Sequence, residues 1–361
     1  MVHIIGIDLI AHGDQSGERA TVTDRYLEVV ENAKRFEALG FDGFGVGERH
    51  HAPFLSSSPP VLLSRLTAET SRIRLFTGVT LLSVLDPVRA AEDYATLDHL
   101  SNGRLELIVG KGNGPEQAEL FGVGRLEAWD ALEVNYRLLR QLWGDEPVTW
   151  TAPEGVPLTR WAALSDVRVF PQPRQPRIRV WHGSATAERS VELAVEFGDP
   201  IFSANGFNPI EHYAKLIRHY RRTWEEAGRD PADALVGAGH GGPFVARRSQ
   251  DAVEHFRPIY ERFAARIQAN DTHLPGTRTD YESYEDFLER GSWLIGSPQQ
   301  VIDKVLRYHE EFGHTVISTG GHRGDLSQED YVDSLTLFAQ EVVPELRRVI
   351  PDPPPPPTNA P

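Results

Sequence analysis

Glu48, His50 and His51 bring three ionisable side chains into four consecutive positions, just after the apolar run Gly43–Gly47. Carboxylate and imidazole together suit proton transfer, and histidine ordinarily titrates near neutral pH. Successive side chains of an extended backbone point to opposite faces, so His50 and His51 are not expected to act together. Two glycine-flanked stretches have a different character. In Lys111-Gly112-Asn113-Gly114 a lysine sits among residues that let the backbone approach a ligand closely, a combination suited to a phosphate. A tight turn with a surface lysine accounts for the same residues equally well. In His182-Gly183-Ser184-Ala185 small residues open a helix whose first amides can face an anion, and Ser184 adds a hydroxyl. His and Glu also ligate zinc and iron, and His182, His240, His314 and His322 could join them. The spacing, however, is not the helical His-Glu-x-x-His type and no cysteine is present, so no metal site is expected. The run Gly237–Gly242 matches the dinucleotide string G-x-G-x-x-G. The residues after it, Pro243–Ala246, read as extended chain, so it is expected to be a glycine-rich strand beside a flat group rather than a nucleotide fingerprint.

These residues need a scaffold that gathers strand ends. Strand and helix signals alternate almost throughout. Strands are expected at Val2–Leu9, Gly43–Gly47, Arg74–Val79, Leu105–Val109, Ile178–His182, Ile201–Ala204, within Ala234–Ala246, and at Thr315–Thr319. Helices are expected at Tyr26–Leu39, Pro59–Ala68, from Asp86 to Asn102-Gly103, and at Arg125–Trp143, Ala187–Phe197, Pro209–Ala227, Gln250–Gln268, Pro298–Phe312 and Gln328–Ile350. Asp86 before Pro87 is an N-cap signal, and Asn102-Gly103 a left-handed stop. The beat breaks over residues 144–177, an extended excursion with room for a small hairpin, and over 269–291. That pattern predicts a (β/α)8 barrel (a TIM barrel) with insertions after strands 4 and 7. A doubly wound sheet is the rival, but His12–Thr21 lacks the glycine fingerprint it would carry. Residues 1–350 are read as one domain, followed by an extended, solvated proline-rich tail at 351–361.

Composition narrows the function classes. The chain has 361 residues, a formal charge of −15 and no cysteine. Disulfides, thiolate metal sites and cysteine nucleophiles are therefore out. The acidic balance argues against a nucleic-acid partner. No run approaches the roughly 20 apolar residues of a membrane span, and the N-terminal segment reads as a first strand rather than a signal peptide. A cytoplasmic location is the expectation.

Taken as a set, Glu48-Arg49-His50-His51, Asp86-Pro87-Val88-Arg89, Leu97-Asp98-His99-Leu100-Ser101-Asn102-Gly103-Arg104, Gly183-Ser184 and Gly296-Ser297-Pro298-Gln299-Gln300-Val301 resemble the bacterial luciferase-like, flavin-dependent monooxygenases. The resemblance covers most of the chain. It implies a homodimeric (β/α)8 barrel that binds reduced FMN, or a deazaflavin, at its C-terminal mouth. In such enzymes a separate, transiently bound flavin reductase supplies reduced FMN. The flavin reacts with O₂ to give a peroxyflavin that attacks a small organic substrate. Carried over position by position, His50 matches the active-site histidine, with Glu48 beside it. Gly78-Val79 matches a non-proline cis peptide that shelves the flavin ring. Lys111, with Gly112 and Asn113, matches the phosphate loop, and Gly183 and Ser184 match further phosphate contacts. Two departures stand out. Gly110 occupies the place of luciferase's reactive cysteine, so light emission is not implied. Ala187 replaces a threonine on the phosphate helix, which leaves Ser184 or Thr186 as the hydroxyl. The alternatives are a deazaflavin-dependent hydride-transfer enzyme, a flavin-binding relative without turnover and, outside the family, a metal-dependent hydrolase.

Overall fold

A computed structural model of the protein describes residues 2–11, 21–112, 115–122, 128–151, 153, 163–203, 208–268, 281–350 and 352. Asn113, most of the 351–361 tail, and parts of both excursions (154–162 and 269–280) lie outside the described residues. In chain order the first half comprises β1 (His3–Asp8), α1 (Val22–Ala38), β2 (Gly43–Val46), α2 (Pro59–Glu69), β3 (Arg74–Leu81), α3 (Pro87–Leu100), β4 (Leu105–Gly110), α4 (Pro115–Phe121) and α5 (Ala128–Leu142). The hairpin β5 (Val148–Thr151) and β6 (Ala163–Val167) follows. Then come β7 (Arg179–Gly183), α6 (Glu188–Phe197), β8 (Ile201–Ser203), α7 (Ile210–Glu226), β9 (Val236–Gly239), β10 (Phe244–Val245) and α8 (Ser249–Gln268). The chain closes with α9 (Tyr284–Arg290), β11 (Ile295–Gly296), α10 (Pro298–Phe312), β12 (Val316–Gly320), α11 (Gln328–Leu337) and α12 (Val343–Val349).

Eight parallel strands close into a barrel in the order β1-β12-β9-β8-β7-β4-β3-β2. The expected fold is the one observed, and the hairpin and α9 fall in the insertions after the fourth and seventh barrel strands. Ile5, Phe76, Ile108, Trp181, Phe202 and Val316, each from a different strand, fill the interior. Below them the Glu106 carboxylate accepts from Trp181 Nε1 at 2.7 Å and pairs with Arg74 at 2.5 Å. This packing leaves the C-terminal end as the open one, where the loops after the strands gather. Local signals set the helix ends. Asp86 accepts from the amides of Val88 and Arg89 ahead of Pro87, and Asn102 and Gly103 adopt φ values of 58° and 80° after α3. Ser297 and Gln300 form a reciprocal capping box on α10, which stops at left-handed Gly313.

Four readings need correction. The expected single strand within Ala234–Ala246 is two. β9 leaves the barrel ladder at Gly239, and β10 pairs instead with β11 outside it, separated by left-handed Gly242 and by Pro243, which has no amide to donate. The closing helix is interrupted by a π turn at Phe338–Val342, ahead of Pro344, which cannot supply the regular i→i−4 bond. A short helix, α4, lies ahead of α5 where none was expected; Arg125, the expected start of the longer helix, lies outside the described residues. Finally, the second excursion holds α9, a helix too short to show a period. It presents Tyr284 and Phe287 to Tyr260 and Trp293. The Gly237–Gly242 run opens no helix. A Cβ on Gly241 would lie 2.2 Å from the Trp293 ring, so the glycine exists to admit that indole. Among the described residues no helix is long and apolar enough to cross a membrane.

Candidate active site

The barrel mouth holds a cavity of about 760 Å³, within the range of roughly 300–1,000 Å³ typical of small-molecule and cofactor sites. Ile7, Val79, Ile108 and Phe202 border it above the barrel core, and Phe256, Trp293 and Leu326 give it further apolar wall. Glu48, Gly78, Val79, Lys111, Gly112, Gly183 and Ser184 all contribute to its lining. Residues scattered over more than a hundred positions thus meet on one rim, because parallel strands all deliver their C-terminal ends there.

The Gly78–Val79 peptide is cis. Val79 sits between the ends of β4 and β7: a Cβ added to Gly110 would lie 3.1 Å from one Val79 methyl, and one on Gly183 2.9 Å from the other. Small residues there keep the ledge flat and leave room above it. Lys111 holds its ammonium at the wall by donating to the Gly112 carbonyl at 2.9 Å, 5.9 Å from the centre of the Trp129 ring. At the end of β7, next to β4 in the barrel, the Ser184 hydroxyl accepts from the Ala187 amide at 3.0 Å, organising the start of α6. Thr186 lines the cavity beside it.

The Glu-x-His-His run divides as its alternation requires. Glu48 is buried and uses both oxygens. One accepts from the Leu81 amide at 2.9 Å and the other pairs with His50 Nε2 at 2.8 Å. His50 lies against the edge of Phe121 and is not among the cavity-lining residues described; Glu48 stands between it and the space. His51 turns away to Phe54. The four later histidines do not converge. His182 faces Asp199, His240 packs against His314, and of the four only His240 and His322 are among the described cavity-lining residues, His322 with its ring nitrogen tied to the Gly324 amide. Among the described residues no three His, Asp or Glu side chains come together to hold a metal.

Several contributors carry no sequence signature. Arg25 reaches the rim from α1, clamped by both oxygens of fully buried Asp8 at 2.8 Å. Gln117 comes from α4, a seven-residue helix with no readable period. Asp199 is the hub beneath the β7 end. It accepts from Tyr136, pairs with Arg177 at 2.9 Å and Arg140 at 3.5 Å, and faces His182 Nε2 at 3.4 Å. Burial alone would raise its pKa, but Arg140, His182 and Arg177 more than offset this and hold it below the ordinary carboxylate value.

Burial has the opposite consequence for His240 and His314. It pushes His240 down to about 4, with Lys304 adding to the effect, and drives His314 well below its ordinary value, helped by His240, His309 and Arg221. Between about pH 6.5 and 4 the unfolded chain binds protons that the folded one refuses, so stability falls as pH falls through that window. Each group contributes a slope of about 1.4 kcal/mol per pH unit where only the unfolded state is protonated. Denaturant unfolding across that range is expected to show a shallower acid limb for His314→Phe than for wild type; an unchanged slope would mean His314 is not one of the groups responsible.

Comparison with known proteins gives this geometry a context. The family model described as luciferase-like monooxygenase matches residues 5–315. The N-acetyl-S-alkylcysteine monooxygenase of Bacillus subtilis (strain 168) is 33% identical over 314 residues, covering 81% of this chain and 86% of the relative. The 4-hydroxyprotoasukamycin monooxygenase of Streptomyces nodosus subsp. asukaensis is 29% identical over 337 residues, covering 87% and 85%. A solved monooxygenase from Streptomyces bottropensis superposes with a TM-score of 0.81 at 23% identity, over 94% of this chain and 99% of that one. The oxygenating constituent of 3,6-diketocamphane monooxygenase from Pseudomonas putida, in complex with FMN, superposes with 0.76 at 18% identity, over 98% and 100%. At those identities the structures attest the shared barrel. The family model and the sequence relatives carry the rest: this chain belongs to the luciferase-like monooxygenase family.

Proposed function

We propose that the chain is the oxygenase of a two-component, FMN-dependent monooxygenase that acts on a small organic substrate. One observation supports this above the others: a single cavity joins a flat, glycine-bordered ledge at Gly78-Val79 to an anion-suited corner formed by Lys111, Gly183 and Ser184. That is the shape of a planar ring with a phosphorylated tail. Reduced FMN bound there would supply the activation of O₂. The chain's own residues do the rest. Val79 supports the ring, and Lys111 and Ser184 hold the phosphate. Phe256, Trp293 and Leu326 exclude water from the substrate side. Glu48 and His50 hold and pass a proton between Glu48 Oε1 and His50 Nε2. No nicotinamide fingerprint is present, so electrons come from a separate reductase. The active unit is a homodimer.

The test is anaerobic titration with reduced FMN, followed by oxygen uptake on mixing with air-saturated buffer. Lys111→Ala is expected to weaken FMN by roughly 10- to 100-fold, the worth of a charge-assisted contact, and to leave riboflavin binding unchanged. Equal weakening of both flavins would remove Lys111 from the phosphate seat. Turnover of a reduced deazaflavin without oxygen, or tight binding of oxidised FMN with no oxygen consumption, would overturn the monooxygenase reading.

A further inference from the structure

Gln117 is 2% exposed, and neither the oxygen nor the nitrogen of its amide has a hydrogen-bond partner among the described residues. Buried polar groups are nearly always paired, and leaving one unpaired costs about 1–3 kcal/mol. An amide with both ends unmet, on the wall of the cavity, is a cost that a ligand can remove. Its position says which part of the ligand. A Cβ on Gly112 would lie 3.1 Å from Gln117 Oε1 and 3.2 Å from a Leu81 methyl. Gln117 therefore borders the passage from the Gly78-Val79 ledge, at the end of β3, to Lys111, after β4. A molecule with its ring on the ledge and its phosphate at Lys111 must thread its linker past this side chain. A carboxamide offers one acceptor and two donor hydrogens, a match for hydroxyl groups, which both donate and accept.

Resting on the flavin reading above, we propose that Gln117 is a cofactor-binding residue that recognises the polyol chain linking ring and phosphate. The chain's hydroxyls donate to its Oε1 and accept from its Nε2. The residue is thus unsatisfied in the empty protein and paired in the loaded one. Two signatures of opposite sign are expected. Gln117→Met replaces the amide by an apolar side chain of similar shape, so the flavin-free protein becomes more heat-stable, by roughly 2 °C or more. Binding weakens, and only for ligands that carry the chain.

The experiment measures the flavin-free melting temperature of wild type and Gln117→Met, and the dissociation constants of reduced FMN, riboflavin and lumiflavin, the last of which has a methyl group in place of the polyol. FMN and riboflavin are expected to weaken about tenfold in the variant, with lumiflavin unchanged. Equal weakening of all three, no weakening of any, or a lowered melting temperature overturns the assignment and leaves the flavin site standing. Failure of wild type to bind any of the three overturns the assignment and the flavin site together.

Discussion

Replacing Glu48 with glutamine is expected to lower kcat by about 10²- to 10⁴-fold, the usual worth of a positioned acid–base group, while reduced FMN still binds within about threefold of wild type. The reason is the connectivity of two atoms. Glu48 Oε2 takes the Leu81 amide and Oε1 takes His50 Nε2, so the carboxylate is the bridge between the imidazole and the cavity it lines. Glutamine keeps the shape and can keep its oxygen on the Leu81 amide. Its NH₂ then faces His50, which must present Nε2 as an acceptor, and a proton can no longer pass between the two. His50→Gln breaks the same link from the other side. The two losses are therefore not additive: the double variant should be no slower than the slower single one. Oxygen uptake at saturating reduced flavin reads kcat, and anaerobic titration reads binding. An E48Q enzyme turning over within about threefold of wild type would show that the pair only shapes the wall.

How much of this was legible in the chain depends on the kind of signal each part leaves. The barrel was, because strand–helix alternation repeats eight times and some of the helices carry clear punctuation: Asp86-Pro87 and Asn102-Gly103 around α3, Ser297 with Gln300 and Gly313 around α10. Strand ends were legible for the same reason, and with them Glu48, Lys111 and Ser184, since a parallel barrel brings all such ends to one rim. The side-chain directions were only half legible. Alternation separated His50 from His51, but nothing in the local sequence says that Glu48, and not His50, meets the cavity; that depends on the Leu81 amide, which β3 delivers from across the ladder. Gln117 and Arg25 left no trace, being placed by a short helix and by a clamp on Asp8 from 17 positions away. The β9–β10 break and the π turn share a cause. In each a proline removes one amide, and which bond the chain makes instead is a tertiary matter.

Asp199→Ala carries the largest expected loss of stability, about 3–5 kcal/mol, the range for removing one partner from a buried ionic cluster. The carboxylate is 2% exposed and gathers four groups: the Tyr136 hydroxyl, the guanidinium groups of Arg140 and Arg177, and the His182 imidazole. Truncation leaves two cations and a buried phenol facing one another with no anion between them. Asp199→Asn separates the two parts of that cost. It preserves the shape and an acceptor for Tyr136 but not the charge, so its loss should fall between wild type and the alanine variant, as read from urea midpoints. Acidity should erode the same contribution. Because the folded pKa lies below 3.8, the stabilisation is complete above the unfolded value and disappears as pH falls through the lower, folded one. The site should register the change as well. His182 is the residue before Gly183 and Ser184, and its ring is held by Asp199. A loosened hub therefore loosens the anion corner, and Asp199→Asn should bind FMN more weakly while its affinity for lumiflavin, which has no phosphate, holds. Parallel weakening of both flavins would instead mean that the hub supports the barrel as a whole and not that corner.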